Sequence, residues 1–238
     1  MTENKMRPID LHTYSDREAL AQDLAERVGQ RLGEAIAERG TALIAVSGGS
    51  TPKRFFEVLS SADCAWDKVT ITLVDERFVP PDNERSNHRL VAEHLLKNAA
   101  AAATFVPLYQ HVDDVTAAAA LAAGKVDTLP VPFDVVILGM GGDGHTASFF
   151  PNGNHLGAAF DGDGTRSVIS MEAPDAGEPR LTLTLPHLLA TRFLALHIEG
   201  QGKMDTLDKA RAPGPADAMP IRAVLDRAAS PLNVYWAP

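Results

Sequence analysis

The sequence predicts an α/β fold, a mostly parallel sheet with helices on both faces. Short apolar runs alternate with amphipathic stretches along all 238 residues, and two of those runs end in glycine-rich loops, at 47–52 and 139–148. A hydrophobic content of 45 % supplies a core large enough to bury such strands. No linker-like segment breaks the alternation, so one domain is expected over 1–238.

Ser15 and Glu18 have the spacing of a capping box, and Leu20, Leu24, Val28, Leu32 and Ile36 then recur every four residues up to Gly40. This describes one long amphipathic helix. Ala42–Val46 is wholly apolar and reads as a buried strand. A helix over 52–60 follows, opened by Pro52, which lacks the N–H that a first turn would leave without a partner. The β-rich run 69–74, a helix over 87–98, a short strand near Phe105-Val106, a helix over 113–123 and a strand over 133–138 continue the pattern. A short helix is expected after His145, closed by Pro151 about two turns on. The last third offers strands at 167–171, 181–185, 192–198 and 232–236, with helices near 186–190, 203–211 and 220–228.

The net charge of -9 argues against a general nucleic-acid or anionic-membrane surface, so any cations that bind an anion are few and local. The single cysteine, Cys64, excludes an intramolecular disulfide and fits a reducing cytoplasm. The first ten residues are polar and lack the apolar core of a signal peptide, and no window approaches the ~20 apolar residues that span a bilayer. A soluble cytoplasmic protein with neither nucleic-acid nor membrane partners is expected. His12, His88, His94, His111, His155, His187 and His197 show no i,i+4 pair and no H-E-x-x-H pattern, so no metal site is expected. Asp161-Gly162-Asp163-Gly164 looks like a fragment of a calcium loop but lacks its third acidic position and closing glutamate.

The loop Ser47-Gly48-Gly49-Ser50-Thr51-Pro52 joins the strand 42–46 to a helix. Its glycines let backbone amides turn toward a ligand, the helix start adds positive potential, and Ser50 and Thr51 add hydroxyls. It reads as a phosphate cradle or as a plain β-to-α turn. A nucleophile elbow would need glycine at Pro52, and a P-loop would need a lysine after its last glycine. Gly139, Gly141 and Gly144 formally satisfy G-x-G-x-x-G, but Pro151 leaves no room for the crossover helix of a dinucleotide fold. What remains is a polar turn that brings Asp143 and His145 to the carboxyl end of a strand, where ligands of open α/β sheets bind. Asp75 and Glu76 can serve as acid, base or orienting carboxylates, and Arg77 can hold a carboxylate or a developing oxyanion, unless the three are a solvated ion cluster at a strand end. Arg180 and Lys203 each stand at an element boundary, as a second contact to a phosphate would require, although singly each also fits a surface charge.

These motifs together resemble the 6-phosphogluconolactonases of the pentose phosphate pathway. The matching pieces are Ser47-Gly48-Gly49-Ser50-Thr51-Pro52, Val74-Asp75-Glu76-Arg77, Ser86-Asn87, Leu138-Gly139-Met140-Gly141, Asp143-Gly144-His145-Thr146-Ala147-Ser148, Arg180 before Thr182 and Thr184, and Gly200-Gln201-Gly202-Lys203. They run in the family's order from about residue 10 to the end. The resemblance implies the glucosamine-6-phosphate deaminase/ribose-5-phosphate isomerase fold and hydrolysis of 6-phospho-D-glucono-1,5-lactone, a small-molecule substrate, without a cofactor. It implies phosphate binding by Gly48, Gly49, Ser50, Thr51, Arg180 and Lys203. It further implies that His145 is the general base, with Asp143 shaping its loop, and that Asp75 and Arg77 face the sugar and lactone end. Phe149-Phe150 replaces the family's usual leucine-phenylalanine, a change expected to touch packing. A monomer or weak homo-oligomer is expected.

Two rivals use a similar frame. A glucosamine-6-phosphate deaminase-like isomerase typically has tyrosine where Arg77 stands and an Asn-Glu pair after its histidine, where this chain has Thr146-Ala147-Ser148-Phe149. A sugar-phosphate-binding regulator without chemistry is expected to lose His145 or to carry an added DNA-binding module, and this sequence does neither.

Overall fold

The computed structural model describes residues 6–162, 164–174 and 176–238. In chain order the elements are β1 (Ile9–Thr13), α1 (Arg17–Arg39), β2 (Ala42–Val46), α2 (Lys53–Leu59), β3 (Val69–Leu73), β4 (Asp75–Arg77), α3 (Asn87–His94), β5 (Thr104–Val106) and α4 (Val115–Val126). They continue with β6 (Val135–Leu138), α5 (Leu156–Phe160), β7 (Val168–Met171), β8 (Arg180–Leu183), α6 (Leu185–Leu189), β9 (Leu194–Glu199), α7 (Gln201–Arg211), α8 (Ile221–Arg227) and β10 (Leu232–Ala237).

Seven strands form one sheet in the order β1-β10-β9-β6-β2-β3-β5, with every pairing parallel. Every residue of β2 and of β6 is buried, which is why both read as unbroken apolar runs rather than as alternation. From β2 the chain winds outward through β3 to β5, then returns to lay β6 on the other side of β2 and continues to β9 and β10. The connections leaving β2 and β6 therefore run in opposite directions, and a crevice opens between them at the carboxyl ends of the strands. Helix α1 packs against β2, β6 and β10 through Leu20, Leu24, Val28 and Leu32, all fully buried, with Ile36 at the margin.

The structure departs from the sequence expectations in four places. The N-cap of α1 is Asp16, whose carboxylate accepts from the Ala19 N–H at 2.8 Å, and not Ser15. Glu18 does not fold back as a capping box requires, because both of its oxygens are taken by the Arg54 guanidinium at 2.6 and 2.8 Å. The helix expected over 87–98 stops at His94, since Ala100 N–H and Asn98 Nδ2 turn to Ser60 instead and Asn98 adopts a φ of 51°. No helix follows His145: Thr146 bridges to Phe149, Ala147 takes a φ of 48°, and α5 begins only at Leu156. Finally, β1 and a second sheet, antiparallel in the order β4-β8-β7, were not expected. Asp163 of the glycine- and aspartate-rich stretch lies outside the described residues. No helix among the described residues is long and apolar enough to cross a membrane.

Candidate active site

The two glycine-rich loops leave adjacent strands, and they meet. The Gly139 N–H donates to Ser47 Oγ at 2.9 Å, tying the turn after β6 to the turn after β2. Between them lies a cleft of about 260 Å³ lined by Gly48, Gly49, Ser50, Thr51, Asp75, Arg77, Asn87, His145, His197 and Lys203, among others. That size suits a small metabolite. A larger hollow of about 700 Å³ lies between α1 and α2, but its one cation, Arg54, is already held by Glu18 and Glu57.

At one end of the cleft Gly49 has a φ of 94°, a conformation open to glycine, and this turns the chain so that it enters α2. No backbone N–H from Gly48 to Thr51 has a protein acceptor among the described residues, so these donors are available to an anion. Lys203, in the first turn of α7, lines the same cleft and forms no ion pair among the described residues.

The histidine loop is fixed by hydrogen bonds to its backbone. Gly141 N–H donates to His145 O at 2.8 Å, Thr146 Oγ1 donates to Gly139 O at 2.7 Å, and Ile221 N–H donates to Gly144 O at 2.9 Å. The His145 ring is about one-third exposed, and its Nδ1 lies 2.6 Å from Asp143 Oδ1. Burial alone would raise the Asp143 carboxyl, but the hydrogen bonds from the His145 ring and backbone outweigh it and hold the group at about 2. An ionised Asp143 fixes the ring tautomer: Nδ1 carries the proton, and Nε2 keeps its lone pair. Phe150 supports the ring from the side at a centroid distance of 4.6 Å, whereas Phe149 is wholly buried and meets Phe160 edge-on, a packing role as expected from the sequence.

The small antiparallel sheet supplies the wall. Side chains alternate along a strand, so Asp75 and Arg77 of β4 face the cleft while Glu76 points behind it. Asp75 accepts from Ser148 Oγ at 2.6 Å, which joins this wall to the histidine loop. Arg77 Nη1 donates to Asn87 Oδ1 and to Arg85 O at 2.7 Å each. Burial pushes the Glu76 carboxyl up to about 7, against three backbone N–H groups that favour its charge.

Arg180, like Asp143, is not among the residues lining the cleft. It is buried, its Nη2 bonded to Ala176 O and its guanidinium 5.5 Å from the Phe150 ring centroid, while Nε and Nη1 have no partner among the described residues. Burial presses its guanidinium below the ordinary value, with Asp75 opposing. In the β4–β8 register it lies opposite Arg77, a like-charge pair that an anion would relieve.

Sequence reasoning gave no role to Asn87 or His197. Asn87 had a signal, because Ser86 before it is an N-cap that accepts from Arg89 N–H at 3.2 Å. His197 had none, being one more residue of an apolar strand. Among the described residues no group of three or more histidine, cysteine, aspartate or glutamate side chains could hold a metal ion.

A family model described as glucosamine-6-phosphate isomerases/6-phosphogluconolactonase matches residues 15–236. A 6-phosphogluconolactonase of Rhizobium meliloti (strain 1021) is 59 % identical over 229 residues, 96 % of this chain and 99 % of that one. One of Mesorhizobium japonicum is 55 % identical over 227 residues, 95 % and 94 % of the two chains. Among solved structures, a 6-phosphogluconolactonase from Shewanella baltica OS155 superposes with a TM-score of 0.95 at 38 % identity, over 98 % of this chain and all of that one.

Proposed function

Since the chain belongs to the glucosamine-6-phosphate isomerase/6-phosphogluconolactonase family, we propose that it hydrolyses 6-phospho-D-glucono-1,5-lactone to 6-phosphogluconate. The observation that carries this reading is the meeting of His145 and the Gly48–Thr51 amides in one cleft. A δ-lactone is an activated ester, so a neutral imidazole that takes a proton from water as it attacks C1 suffices, and no acyl-enzyme is needed. His145 Nε2 is that base, held in the right tautomer by Asp143. Negative charge then grows on the carbonyl oxygen, where Arg77 or the loop amides stabilise it, and Asp75 orients the sugar.

The phosphate binds to the amides of Gly48 and Gly49, to Ser50 and Thr51, and to Lys203. Arg180 completes the set by turning its two unpartnered donors toward it. Anchoring the far end of the substrate fixes C1 against His145 and removes part of the entropic barrier. The same proposal places the protein in the cytoplasm, which its single cysteine supports, as a monomer or weak homo-oligomer.

The test is formation of 6-phosphogluconate at slightly acidic pH, where spontaneous lactone opening is slow. Wild-type protein is expected to exceed that background well, and His145→Ala to keep fold and substrate binding while losing most turnover. Unchanged kinetics in the His145→Ala enzyme would remove the base assignment.

A further inference from the structure

Glu76 is wholly buried and lies behind the cleft wall, yet its two oxygens collect donors from both sides of that wall. Oε1 accepts from the backbone N–H groups of Arg77 and Asn87 at 2.7 Å each. Oε2 accepts from His88 N–H at 2.7 Å and from Ser86 Oγ at 3.1 Å. The carboxylate thus staples β4 to the first turn of α3.

The part of that turn which reaches the cleft is Asn87. Its Nδ2 donates to Asp75 O at 2.9 Å, and its Oδ1 accepts from Arg77 Nη1 at 2.7 Å. Gly48 closes the third side so tightly that a Cβ there would sit 1.9 Å from Asn87 Oδ1. Asn87 is therefore closely confined, and Arg77 takes its direction from it together with Arg85 O, two residues earlier in the same turn.

We infer that Glu76 is a positioning residue: by holding the first turn of α3 against β4 it sets Asn87, and Asn87 aims the Arg77 guanidinium into the cleft. Two features set this apart from simple support of the helix. Ser86 Oγ accepts from Arg89 N–H and so leaves α3 an N-cap when Glu76 is changed, although Glu76 takes the Asn87 and His88 N–H groups of the same turn. Arg77 also faces Arg180 across the β4–β8 pair, and like charges opposite each other drive apart unless braced. A carboxyl group is required because each of its oxygens accepts from a backbone N–H, which a protonated oxygen still does and an amide nitrogen does not.

The inference rests on the lactonase reading for its kinetic readout, and a double-mutant cycle tests it. Glu76→Gln and Asn87→Ala are each expected to lower kcat/KM roughly tenfold, the scale of one hydrogen bond to a charged group. The double variant is expected to lose no more than either alone, because both break one chain of contacts. A hundredfold loss in the double variant, the product of two independent effects, overturns the inference. Should Glu76→Gln not fold, Asn87→Ala with Arg77→Ala tests the second link by the same criterion, additivity again being the refuting result. Absence of lactone hydrolysis by the wild type would remove the functional reading alone. A crystal structure of Glu76→Gln, or of Asn87→Ala, then decides the positioning: Arg77 is expected to turn away from its wild-type direction, and an unmoved guanidinium overturns it.

Discussion

Replacing Asp143 by asparagine separates charge from geometry at His145, the proposed base. A single oxygen, Oδ1, accepts both from the His145 ring at 2.6 Å and from the His145 backbone N–H at 3.0 Å. In Asp143→Asn the backbone N–H keeps the amide oxygen in that place, so the ring retains its acceptor and its tautomer, and only the negative charge is lost. Hydrogen bonds to charged groups contribute about 1.5–3 kcal/mol and neutral ones about 0.5–1.5. The difference of about 1–1.5 kcal/mol, at ~1.4 kcal/mol per decade, lowers kcat roughly five- to tenfold. Asp143→Ala removes the anchor as well and lets the ring turn. Its loss is expected to approach that of His145→Ala, roughly 10²–10⁴-fold. The assay is the initial rate of 6-phosphogluconate formation at saturating lactone, corrected for spontaneous opening. A loss in Asp143→Asn as large as in Asp143→Ala would mean that the amide had flipped and selected the other tautomer. Full activity in Asp143→Ala would show that the carboxylate does not position the base.

Lys203→Ala and Arg180→Ala are each expected to raise KM for the phosphorylated lactone with little change in kcat, and to leave kcat/KM for unphosphorylated gluconolactone unchanged, as steady-state kinetics on the two substrates will show. Gly48→Ala places a methyl 1.9 Å from Asn87 Oδ1 and must expel that side chain, so roughly 1–3 kcal/mol of stability is lost in denaturant unfolding and kcat/KM falls with it. Glu76 adds a pH dependence whose sign is unusual for a carboxylate. Its folded value is raised to about 7 from 4.5, so the unfolded chain releases that proton first. Its contribution is full below the unfolded value and is lost as pH rises through 7. Melting temperatures should therefore fall between pH 5 and 7 more steeply in wild type than in Glu76→Gln, and parallel curves would contradict the burial argument.

The buried parallel strands were legible because burial on both faces leaves an unbroken apolar run, as in Ala42–Val46, and the long helix because its buried stripe repeats every four residues. Both site loops were legible for the same reason: each follows such a run. What stayed hidden depended on residues distant in sequence. The three polar residues of β4 form a strand only because β8, about a hundred positions later, pairs with them. The choice between Ser15 and Asp16 as cap was decided by Arg54, and the end of α3 by Ser60. The turn after His145 carries residues with fair helical preference, but its hydroxyls are engaged by Gly139 and Asp75. The sequence offered Glu76 as an acid, a base or a ligand-orienting carboxylate, whereas it lies behind the cleft wall. Its link to Asn87 was hidden, because Asn87 is eleven residues away and on another element.

The loops proposed to hold the substrate spring from β2, β6 and β9, three successive strands of one sheet. Parallel strands keep a spacing of about 4.8 Å imposed by backbone hydrogen bonds, so the roots of the anion loop and the Lys203 turn are separated by two such steps, with the histidine loop rooted midway. Backbone spacing thus sets how far the proposed base, rooted on β6, stands from each part of the proposed phosphate grip, rooted on β2 and β9. Side-chain replacement can weaken either part of that grip, but it cannot recalibrate the spacing.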